Sequence, residues 1–240
     1  MKSTKTISLR FTLIVCALFI CGFVPALKAG SITHAILTDH FFRNHPEYTD
    51  EEKDSFRSGT LFADIHFITD LEKEDTYFPD VTIEDILNEP SPFVAGMKFH
   101  SLVDNLRDDF IAQGDHLKVL SHLKKVKHKD TFLKFLEDEI VYQSLDKAHW
   151  QKRANTIHPD ELDWGIEQAK LDRWHYLLNL SFTYYPSTLV FMAHLKGKGL
   201  LNVPASEVAV WNKTFENTAK KEAVKNYVNE LIKMFAEQIK

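Results

Sequence analysis

The segment 92–112 constrains the fold most, because its spacing is helical and almost every face of that helix is apolar. Ser91 and Pro92 supply an N-cap and a first-turn proline at its start. A helix that is apolar nearly all round is buried rather than laid on a surface. The sequence therefore predicts a buried helix here, with the apolar residues Phe93, Val94, Met97, Phe99, Leu102, Val103, Leu106, Phe110 and Ile111.

Two polar side chains, His100 and Asp104, interrupt this apolar helix one turn apart. Side chains at i and i+4 lie on the same face, so the imidazole and the carboxylate can bind one cation. Buried charge is costly unless it is paired or bound to metal. The same spacing also suits a hydrogen-bonded core pair, and both interpretations remain open at this point.

Other parts of the chain also carry helix signals, and period-two alternation is almost absent. Capping boxes at 49–52 and 82–85 are typical of helix starts. Residues 61–81 are the least regular part and predict a loop or short helices. The sequence thus predicts an all-α fold, with residues 31–240 forming a single-domain helical bundle.

Prolines and glycines predict the helix boundaries in the second half of the chain. Pro159 begins a predicted helix that runs to about Tyr184. Pro186 begins the next helix, which we expect to end near Gly197, and the last helical region begins at Pro204.

Residues 1–30 have the pattern of a secretory signal peptide, with a basic start, an apolar run and small residues near its end. We expect cleavage near Ala29 or Gly30, or earlier at Ala26, and hence a secreted or periplasmic protein. The apolar run is about as long as the shortest membrane-spanning helix, so an uncleaved signal anchor is the alternative.

Removal of this leader changes both the cysteine content and the charge of the chain. Cys16 and Cys21 both lie in it, so the remaining chain has no cysteine with which to form a disulfide. The leader holds four of the 29 basic residues and none of the 34 acidic ones, which leaves 25 against 34 and a net charge of −9. An acidic chain without a basic arm argues against nucleic-acid binding and is compatible with binding divalent cations.

Half of the 12 histidines lie in basic stretches or turns, where a solvated side chain is the simplest interpretation. His34 and Asp64 have apolar neighbours and are better candidates for metal ligands. His175 falls in an apolar stripe, where a core histidine is the more usual explanation, and Glu139 falls on the apolar face of its helix. The histidines assigned to solvent are His45, His116, His122, His128, His149 and His158.

Several of these motifs together resemble the bacterial zinc-dependent phospholipase C superfamily, which includes S1/P1-type nucleases. The resemblance covers about residues 31–112 and rests on Thr33-His34, on 56–65, on Thr76-Tyr77-Phe78 and on 91–104, where the His-x3-Asp pair lies. It implies an exported all-helical protein with zinc in a cleft. It also implies four metal ligands, namely His34, Asp64, His100 and Asp104, with Asp64 as the catalytic base or a ligand.

The chain departs from that superfamily in three places. No histidine follows Asp104 within 105–111, no His-x3-Glu pair occurs after residue 104, and Tyr77 stands where a histidine is expected. The residues therefore support one or two zinc ions rather than three, with Glu139 or His175 as a possible extra ligand.

The resemblance implies a metal-dependent phosphodiester hydrolase that acts on phospholipid head groups, with peripheral membrane contact. Arg57 or Arg107 can bind an anionic phosphate, although an ordinary ion pair explains each as well. The alternative is a degenerate, non-catalytic relative that binds a lipid or a partner protein. A nuclease is the third interpretation, and the acidic charge disfavours it.

Overall fold

The computed structural model describes residues 30–114, 116–200 and 203–240. Within these ranges the chain is helical and has no strand, apart from an isolated antiparallel bridge between Leu200 and Val203. This confirms the predicted all-α class. The α-helices are α1 (Ser31–Asn44), α2 (Asp50–Phe62), α3 (Lys73–Thr76), α4 (Ile83–Leu87), α5 (Pro92–Gly114), α6 (Lys129–Val141), α7 (Lys147–Ala154), α8 (Pro159–Leu162), α9 (Gln168–Thr183), α10 (Pro186–Leu195), α11 (Ala205–Ala219) and α12 (Glu222–Gln238).

Short 3-10 helices join several of these elements, at Ala63–Phe67, His116–Leu120 and Tyr142–Ser144. None of the described helices is both long and apolar enough to span a membrane. Of the predicted signal peptide, residues 1–29 lie outside the described residues, so its cleavage stays a prediction.

The predicted helix starts agree with the structure at most positions. Both predicted capping boxes form, at Thr49 and at Thr82, and residues 61–81 contain the short helices that were predicted. The single helix predicted from Pro159 to about Tyr184 is wrong. The chain leaves α8 after Leu162, and Gly165 adopts a positive φ of 65° before α9 begins.

Helix α5 is buried, as its composition predicts, and it separates two hydrophobic clusters. Phe99 and Val103 pack in the first cluster with side chains of α1, α2, α6, α11 and α12. Phe93 and Met97 pack in the second cluster, which contains Trp150 of α7 and residues of α9. Ala95 belongs to the first cluster although it lies between Phe93 and Met97, so two different faces of α5 contribute to the two parts of the core.

Helices α2 and α5 cross at two glycines, where their backbones approach closely. A Cβ atom at Gly59 would lie 1.8 Å from the carbonyl oxygen of Phe93, and one at Gly96 would lie 2.0 Å from that of Phe56. Any larger side chain at either position would therefore push the helices apart. This crossing places the C-terminal half of α2 against the first two turns of α5.

A carboxylate from α6 holds the first turn of α1. Gly30 precedes the helix and offers no side-chain cap, whereas Asp138 accepts hydrogen bonds from the backbone N–H groups of Ile32 and Thr33 and from the Thr33 hydroxyl. Burial raises the pKa of Asp138 to about 7, although these hydrogen bonds oppose the shift. A distant residue thus satisfies the unpaired donors at this helix start.

Arg107 of α5 is buried in an ionic network. Its guanidinium donates to both carboxylate oxygens of Glu137, at 2.7 and 3.0 Å, and to Asp130 at 2.9 Å. The hydroxyl of Tyr227 donates to the same Glu137 at 2.7 Å. This network joins α5, α6 and α12, so Arg107 has a structural partner and is not a free phosphate-binding group.

Replacement of Asp138 by alanine is expected to destabilise the protein. The change leaves the N–H groups of Ile32 and Thr33 buried without an acceptor, which costs about 1–3 kcal/mol. Asp138→Asn keeps one acceptor oxygen and should lose less. The measurement is urea unfolding of both variants, and equal stability of D138A and the parent protein would contradict the assigned role.

Candidate metal centre

The fold brings together all four residues that the sequence predicts as metal ligands. His34 lies in the first turns of α1, Asp64 in the 3-10 helix after α2, and His100 and Asp104 on α5. All four are buried, with exposed fractions of 1 to 4%. Three separate stretches of chain therefore meet at one point in the interior.

The distances between the polar atoms suit one small cation. His34 Nε2 lies 3.4 Å from Asp104 Oδ1, and His100 Nε2 lies 3.6 Å from oxygens of both Asp104 and Asp64. Ligands about 2.0–2.1 Å from a tetrahedral zinc ion are about 3.3–3.4 Å apart. Donor atoms of His34, His100 and Asp104 all lie within 4.8 Å of one another, so this group can hold a metal ion.

The hydrogen bonding of His100 favours a metal ligand over a hydrogen-bonded core pair. His100 Nδ1 lies 2.9 Å from the carbonyl oxygen of Thr60, to which its N–H donates. In the neutral ring this bond leaves the lone pair on Nε2 free for a metal, as is usual for metal-bound histidines.

Four buried polar atoms of the cluster have no hydrogen-bond partner, and buried polar atoms are rarely left so. They are both ring nitrogens of His34, Nε2 of His100 and Oδ1 of Asp104. The rings of His34 and His100 stack with centroids 3.8 Å apart. An imidazole binds an ion through one ring nitrogen, so a cation among these donors accounts for three of the four atoms and leaves one nitrogen of His34 without a partner.

The pKa values of the cluster reflect its burial and the close approach of imidazoles and carboxylates. Burial and the neighbouring His100 lower the pKa of His34 to about 4. Burial also opposes the charged form of His100, but Asp64 and Asp104 outweigh it and raise its pKa to about 9. Burial likewise works against the charged form of Asp104, yet the two imidazoles hold its pKa well below the usual range.

A cavity of about 10 Å³ lies beside the cluster and is lined by three of its four members, His34, Asp64 and His100. This volume suits one water molecule or one ion, not a phospholipid head group. Its lining combines polar and apolar side chains, namely Ser31, His34, Thr60, Leu61, Asp64, His100 and Leu178.

Tyr77 lies close enough to the cluster for the carboxylate charges there to change the pKa of its hydroxyl. Burial, and then the charges of Asp104, Asp108 and Asp64, raise the pKa of Tyr77 to about 12. Its hydroxyl donates a hydrogen bond to the side-chain oxygen of Asn105. Tyr77 therefore stays protonated at neutral pH, and an O–H group stands where the resemblance leads us to expect an imidazole.

Neither suggested extra ligand contributes to the cluster. His175 contacts Glu161 at 2.7 Å and the carbonyl oxygen of Ala154 at 2.9 Å. Glu139 accepts hydrogen bonds from the backbone and hydroxyl of Ser187, both at 2.8 Å. His175 is thus a core histidine with two partners, and Glu139 caps the start of α10.

The two arginines considered for phosphate binding have partners of their own. Arg107 belongs to the ionic network described above, and Arg57 pairs with Asp39 at 3.3 Å. The indole N–H of Trp150 donates to the same Asp39.

Three contributors to the site were not predicted from the sequence. The carbonyl of Thr60 orients His100, and Gly59 and Gly96 allow the helix crossing that brings the two together. Gly96 lies one turn before His100 in an otherwise apolar helix, and Gly59 directly precedes Thr60. These two glycines are the sequence feature that could have predicted a close contact between two helices beside His100 and Asp104.

Comparison with known proteins gives no relative for this chain. No protein-family model, curated protein sequence or solved structure matches it.

Replacement of His100 by alanine is expected to remove bound metal. The purified protein should carry about one divalent metal ion per chain, and His100→Ala should carry close to none because an imidazole ligand is lost. Metal content by mass spectrometry is the measurement, with circular dichroism to check the fold. His122→Ala, at an exposed position, is the control and should keep its metal, whereas full metal content in H100A would contradict the site.

Metal affinity is expected to rise with pH. The raised pKa of His100, about 9, means that the metal-free protein holds a proton there at neutral pH. Metal must displace this proton, so affinity should rise about tenfold per pH unit below pH 9. His34, with a pKa of about 4, is already neutral in this range.

Competition with a chelator at several pH values measures this dependence. Calorimetry in buffers of different ionisation enthalpy should show release of about one proton per metal ion. An affinity that is flat with pH below 9 would contradict the assigned protonation of His100.

Proposed function

We propose that this chain is an exported metal-dependent phosphodiester hydrolase of the phospholipase C type, with one zinc ion bound by His34, His100 and Asp104. The observation that supports this most directly is the set of buried, unpartnered nitrogen and oxygen atoms on these three side chains. The mixed nitrogen and oxygen donors suit zinc, which is bound by imidazole and carboxylate in proteins. The sequence resemblance over residues 31–112 suggests the reaction type.

Within this proposal the chain's own residues have separate roles. A bound divalent ion supplies a nucleophilic water near neutral pH and polarises a phosphoryl oxygen. Thr60 holds the imidazole of His100 in the ligand orientation. Asp64, 3.6 Å from His100 Nε2, accepts the proton that leaves the attacking water or serves as a fourth ligand.

Phospholipid is the substrate class we propose. The net charge of −9 without the leader disfavours polynucleotides, because their phosphates would be repelled. In this proposal the predicted leader directs the protein to secretion or to the periplasm.

The burial of the cluster favours a second candidate function. The four side chains are at most 4% exposed, and the cavity beside His34, Asp64 and His100 has a volume of about 10 Å³. A phosphodiester needs room beside the metal, and a metal enclosed by protein ligands is typical of a structural site. The second candidate is therefore a non-catalytic helical protein in which the ion joins α1, α5 and the end of α2.

Replacement of Asp64 by asparagine tests the hydrolase. The zinc-loaded protein should hydrolyse phosphatidylcholine to a phosphorylated head group, and Asp64→Asn should lower kcat by about 10²–10⁴ because the proton acceptor is lost. Head-group release is measured by chromatography, and metal content is measured on the same samples. Asp70→Asn is the matched control, because Asp70 is 94% exposed and pairs only at the surface with Lys170.

The second candidate predicts different results in the same experiment. It predicts no hydrolysis by the zinc-loaded parent protein, together with a lower Tm after chelation and recovery of the Tm when zinc is restored. Absence of hydrolysis would overturn the proposed enzyme, and loss of hydrolysis in D70N as well as D64N would remove the role assigned to Asp64.

A further inference from the structure

Exposed apolar side chains are concentrated around α10. Three of the five strongly exposed large apolar residues in the described ranges lie there, namely Tyr184 at 38%, Phe191 at 48% and Leu195 at 67%. Phe191 and Leu195 are four residues apart and share a helix face. Exposed apolar groups that cluster in this way mark an interaction surface more often than singly scattered ones do.

The opposite face of α10 fixes the helix to the body of the protein. Pro186 and Val190 are buried, and Glu139 holds the first turn through the backbone and hydroxyl of Ser187. Phe191 and Leu195 thus project from an anchored helix.

The charge along this stretch of the chain differs from that of the whole. No acidic residue occurs between Asp172 and Glu207, whereas the chain as a whole carries an acidic excess. Lys196 and Lys198, both exposed, lie one and three residues after Leu195. An apolar face edged by lysines complements an anionic lipid surface, where the rings enter the interface and the ammonium groups lie among the head groups.

We propose that the α10 surface, defined as Tyr184, Phe191, Leu195, Lys196 and Lys198, binds peripherally to bilayers that contain anionic lipid. The helix has ten residues, too few to span a bilayer, so it lies in the interface plane. A second copy of the chain is the alternative occupant of this surface, and the experiment below distinguishes it from a bilayer. The proposal does not depend on hydrolysis or on the metal centre.

Vesicle sedimentation tests this surface in the protein as it is recovered after export. We expect the protein to sediment with phosphatidylcholine vesicles that contain phosphatidylglycerol, and to sediment less with phosphatidylcholine alone. The double variant Phe191→Ser with Leu195→Ser should lower the partition coefficient about tenfold or more. Lys196→Gln with Lys198→Gln should also lower it on anionic vesicles, and less so at high salt.

Leu162→Ser provides a matched control for the apolar variant. Leu162 is 54% exposed, but it lies in α8 among Asp160, Glu161 and Asp163, so its replacement should leave vesicle binding unchanged. Equal loss of binding in L162S, or no loss in the double serine variant, would overturn the proposal. It would also be overturned if the parent protein did not bind vesicles and instead formed a dimer that the double serine variant abolished. Because sedimentation is scored without hydrolysis, an inactive protein that binds vesicles still supports this proposal.

Discussion

The crossing of α2 and α5 at Gly59 and Gly96 is the contact on which the candidate metal centre depends. Without side chains at these two positions, the end of α2 packs against the backbone of α5. The carbonyl of Thr60 then reaches the ring of His100, and the chain leaves α2 so that Asp64 faces the same ring. One close helix contact therefore sets the orientation of a ligand and the position of its acidic neighbour.

The electrostatics of the cluster follow from its burial. Burial lowers the pKa of His34, and His100 lowers it further because two imidazoles stacked at 3.8 Å cannot both carry a proton at low cost. The pKa of His100 rises because two carboxylates lie beside it. A divalent ion would replace the proton of His100 and give one of the unpartnered nitrogens of His34 a partner. The arrangement favours a cation whether the ion is catalytic or structural.

Local sequence patterns predicted the all-α class, the buried helix 92–112 and several helix starts, because capping residues and apolar spacing act over a few positions. The convergence of His34, Asp64, His100 and Asp104 was predicted from a resemblance, and the structure brings these four side chains together. The break at Gly165 was missed because the apolar residues on either side suggested one continuous helix.

Other features could not be predicted from local patterns because they depend on contacts between distant parts of the chain. Asp138 caps a helix that begins more than one hundred residues earlier. His175 and Glu139, which the sequence offers as spare ligands, are held by partners that only the tertiary fold brings near. The division into a leader and a single domain stays a prediction.

The separation of the ligands along the chain has a consequence for a chain whose two cysteines, Cys16 and Cys21, both lie before the described residues. An ion shared by His34 and His100 closes a loop that spans 66 positions, from residue 34 to residue 100. By the same chain-entropy argument that applies to a disulfide, a permanent link of this span restricts the unfolded chain by about 4 kcal/mol. Such a metal cross-link is reversible, so the rigidity of the protein would follow the concentration of the bound metal ion in the surrounding medium rather than its redox state.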